Sequence, residues 1–168
     1  MTGPVTEVYV AAGSNVDPLR NLQHALRELN QHYRLRVSPA YRNGAVGFEG
    51  DDFVNLVIGF TTPDSVEQVI VRLHEAEAAC GRPRDAPKWA PRTMDLDLLL
   101  YDDLIRDVPG LKVPRADLVR RAYMLRPMAD LAPDVRHPIN GKTMRALWNE
   151  LDSNAHEMTV VDFRLSSS

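Results

Sequence analysis

Apolar and polar positions change period several times along the chain, and those changes mark out its elements. Val8-Tyr9-Val10-Ala11-Ala12 is a short β-prone run that Gly13 is expected to end. Asp17-Pro18 then reads as an N-cap and first helical residue, and Leu19, Leu22, Leu26 and Leu29 follow at helical spacing as one buried stripe. Leu35 and Val37 alternate with Arg34, Arg36 and Ser38, which predicts a half-buried strand running to about Tyr41. From Asn43 to Asp52 the chain holds Gly44, Gly47 and Gly50 and reads as a mobile loop. Residues 53–61, FVNLVIGFT, predict a strand apolar enough for the middle of a sheet. Thr62-Pro63-Asp64 then predicts a second helix start, with Val66, Val69, Ile70, Leu73 and Cys80 as its buried face and Gly81 as its stop. Residues 82–92 hold three prolines and show no period, and Met94 to Tyr101 alternates before closing on Leu98-Leu99-Leu100.

The resulting order, β-α-β-β-α-β, predicts an α+β fold of ferredoxin-like type: a four-stranded antiparallel sheet with two helices on one face. This core takes about residues 5–101, and 102–168 extend it within a single domain over 1–168. In the extension, Asp102-Asp103 predicts a turn, Val108-Pro109-Gly110 a loop and Val113-Pro114 a break. A helix is expected within Asp117 to Leu131, with Pro127 as its boundary or kink. Asn140-Gly141 signals a turn, Met144 to Leu151 a short helix, and Thr159 to Phe163 a last strand before a frayed serine end.

Composition narrows the function classes. The 168 residues carry 20 Lys+Arg and 23 Asp+Glu, a net charge of -3, which argues against a nucleic-acid coat or an anionic-membrane binder. At 44% apolar and 26% charged, the chain can build an ordinary core. No apolar run approaches the roughly 20 residues of a membrane span. The start MTGPVTEVYVAAG has no basic n-region, so a cytoplasmic protein without a signal peptide is expected. A single cysteine, Cys80, leaves no disulfide framework and no cysteine-rich zinc site. The charge is unevenly spread: residues 82–92 and 112–126 together hold nine basic and two acidic residues, against eleven and twenty-one elsewhere.

The candidate chemistry centres on Asp95-Leu96-Asp97. Residues two apart on a strand share a face, so the carboxylates point one way and Leu96 and Leu98 point into the core. Paired carboxylates repel unless a cation lies between them, and hard oxygen donors suit Mg²⁺ shared with phosphates. A solvated D-x-D face is an equally good account of the motif alone. The preceding loop tips the balance, because Arg82, Arg84, Lys88 and Arg92 stand there against the lone acid Asp85. Arginine forks match phosphate oxygens, and Trp89 offers an apolar lid. No P-loop motif is present. Of the second basic cluster, Lys112, Arg115, Arg120, Arg121 and Arg126, Arg120 and Arg126 read as an exposed helix face. Phe53 and Tyr123, taken singly, read as core, and Asn55 either as a structural amide or as a reader of a heterocycle edge. His74, Glu75 and Glu77 lack the H-E-x-x-H spacing and read as a solvated helix face; Cys80 reads as packing.

Residues 88–99, KWAPRTMDLDLL, are similar to the signature of the 6-hydroxymethyl-7,8-dihydropterin pyrophosphokinase family of folate biosynthesis. The resemblance extends through Gly13-Ser14-Asn15, Tyr41-Arg42, Phe53-Val54-Asn55, Gly81-Arg82-Pro83-Arg84, Val113-Pro114 and Met124-Leu125-Arg126-Pro127. It implies a ferredoxin-like fold and transfer of diphosphate from ATP to 6-hydroxymethyl-7,8-dihydropterin, releasing AMP. It implies that Asp95 and Asp97 bind two Mg²⁺ ions, and that Arg82 and Arg92 are catalytic. Arg84 and Arg121 would hold phosphates, Trp89 would close over the site, and Leu98, Lys112 and Arg115 would belong to the ATP wall. Asn55 would meet the pterin edge between the rings of Phe53 and Tyr123, with Asn43, Gly44 and Val46 completing that pocket. Arg115-Ala116 stands where the family commonly has His-Tyr; Gly110 replaces an Arg, and Lys112 a Thr. Around Asn43-Gly44-Ala45-Val46 the family more often has Thr-Pro-Pro-Leu.

No nucleic-acid or membrane partner is implied, and a monomer is expected. Three rivals share these features. A nucleotidyltransferase or cyclase with two metals on the same fold would release pyrophosphate rather than AMP. A divergent paralogue would show weak or altered activity. A non-catalytic ferredoxin-like binding module would not bind Mg-ATP, and the net charge with no RNP-type aromatic strand argues against RNA as its ligand.

Overall fold

The strands at the sheet centre are apolar on both faces because helices cover both. The computed structural model describes residues 4–43, 53–81, 94–151 and 158–166. In chain order these form β1 (Thr6–Ser14), α1 (Pro18–Asn30), β2 (Arg36–Val37), β3 (Ala40–Asn43), β4 (Phe53–Thr62) and α2 (Val66–Ala79). There follow β5 (Asp95–Tyr101), β6 (Arg106–Val108), β7 (Leu111–Val113), a 3-10 turn (Ala116–Val119), α3 (Ala122–Leu131), α4 (Met144–Glu150) and β8 (Thr159–Val161). The main sheet runs β5-β1-β4-β3-β8, with β2 also paired to β4, and every pairing is antiparallel.

Alternation divides the core in two. Val8, Val10 and Ala12 of β1 and Leu56 and Ile58 of β4 pack with Leu22, Leu26 and Leu29 of α1 and Val69 and Leu73 of α2. Tyr9, Ala11 and Val57 face the other way, onto Met124, Leu125 and Met128 of α3 and Met144 and Leu147 of α4. The C-terminal extension thus roofs the sheet face that α1 and α2 leave open. No helix among the described residues is long and apolar enough to cross a membrane.

The sheet has six strands rather than the expected four, for two reasons. The strand expected to run to Tyr41 breaks at Pro39, which has no N–H to donate. Ser38 bridges the break: its N–H donates to Val57 O (2.9 Å), and its Oγ accepts from Val57 N–H (2.8 Å). The sixth strand is β8, which adds to the outer edge of β3.

Other expectations shift for local reasons. β1 continues through Gly13 to Ser14 rather than ending there. Pro18 opens α1, but Asp17 takes a left-handed conformation (φ 41°) and its side chain makes no capping bond. Leu19 is exposed, so the α1 stripe consists of Leu22, Ala25, Leu26 and Leu29. Thr62-Pro63-Asp64 does not start α2. Ser65 caps it instead, accepting from Gln68 N–H while Gln68 Oε1 accepts from Ser65 N–H, a reciprocal capping box. Ile70 and Cys80 lie only partly buried against the core.

In the extension, Pro127 lies inside α3. Val108-Pro109-Gly110 turns the β6-β7 hairpin, with Gly110 at φ 82° as a tight turn after proline requires. The last strand ends at Val161. Beyond it the tail is tied to α1: Gln23 Nε2 donates to Arg164 O (2.8 Å), and Ser166 N–H donates to Gln23 Oε1 (2.7 Å).

A bulge explains the Leu98-Leu99-Leu100 run. Val10 pairs with Leu98 and Tyr9 with Leu100, so Leu99 is the extra residue on β5. Leu98 therefore faces α1 and α2, whereas Leu99 and Leu100 both face α3 and α4.

Candidate active site

Asp95 and Asp97 open β5 at the sheet edge, opposite Gly13 and Ala11 of β1. Leu96 between them turns into the α1-α2 core, as the alternation predicts. Its N–H points away from β1 and donates to Glu77 Oε2 on the last turn of α2, at 2.9 Å. Helix α2 therefore holds the strand at the residue between the two carboxylates. Glu77 is more than a solvated helix face.

Gly13 also pairs with Asn55 on its other side. A Cβ at position 13 would fall 2.3 Å from Asn55 Oδ1, so any side chain there must displace the amide. Asn55 Nδ2 donates to Asn43 Oδ1 at 2.6 Å, and Asn43 pairs in register with Phe53. Phe53, two residues before Asn55, shares its sheet face. Above that face stand Tyr123 and Met124 of α3, Arg121 at the α3 N-cap, and Asp117 of the 3-10 turn. Together these residues enclose a cavity of about 550 Å³, which Asp95, Asp97 and Arg115 also line. Burial, reinforced by the Asp117 carboxylate, pushes the Tyr123 phenol above its ordinary 10.0, so it stays neutral at physiological pH.

A second, smaller cavity of about 150 Å³ lies beyond Asp97, lined by Leu98, Lys112, Gly110, His74 and Arg115 among others. It continues into an open concavity over the β6-β7 hairpin, also bounded by Lys112 and Arg115. Asp97 and Arg115 belong to both the first and second cavities. Their side chains form an ion pair, Arg115 Nη1 to Asp97 Oδ1 at 3.5 Å.

The structure thus gathers Asn43, Phe53, Asn55 and Tyr123 in one cavity with Asp95, Asp97 and Arg121, and Leu98, Lys112 and Arg115 in the next. Arg82, Arg84, Trp89 and Arg92, like Gly44 and Val46, lie outside the described residues. Arg126 stays partly exposed, yet it is more than a solvated charge. Its guanidinium stacks over the rings of Tyr41 and Trp148 and pairs with Asp130, which ties α3 to β3 and α4. Cys80 behaves as packing: burial, with Glu28 and Glu77 nearby, pushes its thiol up to about 11.

Four residues that line the larger cavity, Ala11, Gly13, Asp117 and Met124, are not among the site residues expected from the sequence. Gly13 carries a signal, a glycine inside an apolar run, that also fits a strand end. Asp117 and Met124 carry none, because nothing in a single helical stretch shows which residues overhang a sheet.

Among the described residues no three His, Cys, Asp or Glu side chains converge closely enough to hold an ion. Asp95 and Asp97 form a two-carboxylate set beside a basic side chain. That donor set fits Mg²⁺, which takes one or two carboxylates and completes its shell with water and phosphate oxygens.

Residues 9–133 match the family model for 7,8-dihydro-6-hydroxymethylpterin-pyrophosphokinase (HPPK). A 2-amino-4-hydroxy-6-hydroxymethyldihydropteridine pyrophosphokinase of Pseudomonas aeruginosa is 40% identical over 139 residues, covering 80% of this chain and 85% of the relative. The Aquifex aeolicus protein of the same name is 32% identical over 141 residues, covering 82% and 88%. Among solved structures, wild-type Plasmodium falciparum HPPK-DHPS with pteroate superposes at a TM-score of 0.66 and 12% identity, a likeness of fold. The superposition covers 89% of this chain and 43% of that longer one. The span 9–133 contains every residue that lines the two cavities.

Proposed function

Because the chain belongs to the 7,8-dihydro-6-hydroxymethylpterin-pyrophosphokinase family, we propose that its two adjoining cavities seat the two substrates of that reaction, with Asp97 at their junction and Asp95 next to it in the larger cavity. The reaction is diphosphate transfer from ATP to 6-hydroxymethyl-7,8-dihydropterin, a step of folate biosynthesis. The hydroxymethyl oxygen bonds to the β-phosphorus and loses its proton; the α,β-bridging P–O bond breaks, and AMP leaves. The observation that carries the placement is Asp97, which lines both the aromatic, amide-lined cavity and the basic one, with Asp95 beside it in the larger.

In the larger cavity Asn55, steadied by Asn43, presents an amide to the heterocycle edge, and the rings of Phe53 and Tyr123 flank its faces. A neutral Tyr123 phenol adds no charge beside the ring. On the nucleotide side Lys112 and Arg115, with Arg121 reaching in from the larger cavity, set positive charge against the phosphates, and Leu98 supplies apolar wall. Phosphoryl transfer depends on positioning and charge neutralisation more than on covalent chemistry, so this division of labour suits it. Asp95 and Asp97 would hold Mg²⁺, two ions by family likeness; when bound, they supply charge stabilisation at the phosphate oxygens. By the same likeness Arg82 and Arg92 act catalytically, Arg84 binds phosphate and Trp89 covers the nucleotide, while Gly44 and Val46 border the pterin.

We also read β5-β1-β4-β3, with β2 and β3 as one interrupted strand, as a ferredoxin-like core inside a single domain. A cytoplasmic monomer completes this reading. Dihydropterin binding tests the placement. In fluorescence titrations Asn55→Ala should weaken the affinity at least roughly tenfold, as loss of a site amide contact does, with the affinity for a non-hydrolysable ATP analogue unchanged. Equal pterin affinity in the variant and the parent would remove the pterin from this cavity.

A further inference from the structure

Arg115 stands where two cavities meet, and its surroundings are uneven. Its main chain is fixed, because Arg115 N–H donates to the carbonyl of the bulge residue Leu99 at 3.0 Å. Its head group reaches Asp97 Oδ1 at 3.5 Å, longer than a close charge-assisted hydrogen bond. Its Nε is buried without a hydrogen-bond partner among the described residues. The side chain also borders the concavity over the β6-β7 hairpin, giving it somewhere to go. A guanidinium so held is anchored at the backbone and incompletely satisfied at the head, an arrangement that favours exchange of partners.

We propose that Arg115 is a built-in counter-cation for Asp97, which occupies the carboxylate's field before a metal arrives and yields it when nucleotide phosphates offer another partner. The inference rests on the placement of Mg²⁺ at Asp95 and Asp97. A +1 guanidinium beside a metal ligand repels an incoming +2 ion and competes for the same oxygen. Free divalent cations therefore bind weakly, and the metal enters with the nucleotide, whose phosphates draw Arg115 away. Linkage makes the coupling reciprocal: whatever nucleotide adds to metal affinity, metal adds to nucleotide affinity.

The test is Mn²⁺ binding, followed by electron paramagnetic resonance, to the full chain and to Arg115→Gln and Arg115→Lys, with and without a non-hydrolysable ATP analogue. Without nucleotide, Arg115→Gln should bind Mn²⁺ on the order of tenfold more tightly than the parent, the size expected for one nearby charge in a water-like dielectric. Arg115→Lys, which keeps the charge, should stay close to the parent. With the analogue present, the parent's Mn²⁺ affinity should rise by a larger factor than that of Arg115→Gln. Equal or weaker Mn²⁺ binding by folded Arg115→Gln overturns the proposal and leaves the metal site standing. Failure of the parent to bind Mn²⁺ even with nucleotide removes the metal site at Asp95 and Asp97, and this inference with it.

Discussion

Gly13 and Asn55 face each other across β1 and β4 so closely that a Cβ at position 13 would lie 2.3 Å from Asn55 Oδ1. The glycine is the condition for the amide's position. Gly13→Ala must either displace Asn55, and with it the hydrogen bond to Asn43, or force the strands apart. The expected outcome is a stability loss of about 1–3 kcal/mol, the usual range for overpacking. Alongside it the KM for the dihydropterin should rise and that for ATP change little. Denaturant unfolding and steady-state kinetics check both halves.

Glu77 acts at a distance through the backbone. Its carboxylate holds the N–H of Leu96, the residue between Asp95 and Asp97, at 2.9 Å. Glu77→Ala leaves that part-buried donor without this acceptor and should cost about 1–2 kcal/mol. It should also lower kcat, because the strand bearing both carboxylates loosens. Glu77→Gln keeps an acceptor oxygen and should recover most of the stability. Equal melting temperatures in the Ala variant and the parent would contradict this role.

The loop between α3 and α4 carries a pH dependence. Burial pushes the His137 imidazole below its ordinary 6.5, and its Nδ1 accepts from Ile139 N–H at 3.3 Å, as the neutral ring does. The unfolded chain takes up a proton near pH 6.5 that the folded chain resists, so this contribution is present above that pH and is lost on acidification. The melting temperature of the parent should fall faster from pH 7 to pH 5 than that of His137→Asn, which removes the titrating ring. Parallel curves would contradict the assignment.

Much of the site was legible in the sequence because a strand's period of two is rigid. Asp95 and Asp97 share a face, and Leu96 turns from it, as alternation requires. The same rule misleads three residues later, since the bulge at Leu99 is set by pairing with β1 and leaves no local mark. Helix starts were partly legible. The Ser65-x-x-Gln68 box is a readable signal, yet Pro63 beside it is the louder one. Arg126 looked like a surface charge because its partners Tyr41 and Trp148 are brought near only by the fold. Gly13 reads in the sequence as a strand end, whereas the structure keeps it inside β1 and uses its missing side chain.

The most direct test of the account is product analysis with ATP, 6-hydroxymethyl-7,8-dihydropterin and Mg²⁺. The account predicts AMP and the pterin diphosphate only when all three are present, and a loss on the order of a thousandfold or more in Asp97→Ala, as when a group that stabilises transferring phosphoryl charge is removed. Pyrophosphate in place of AMP, no AMP from the parent protein, or an undiminished rate in Asp97→Ala would contradict it.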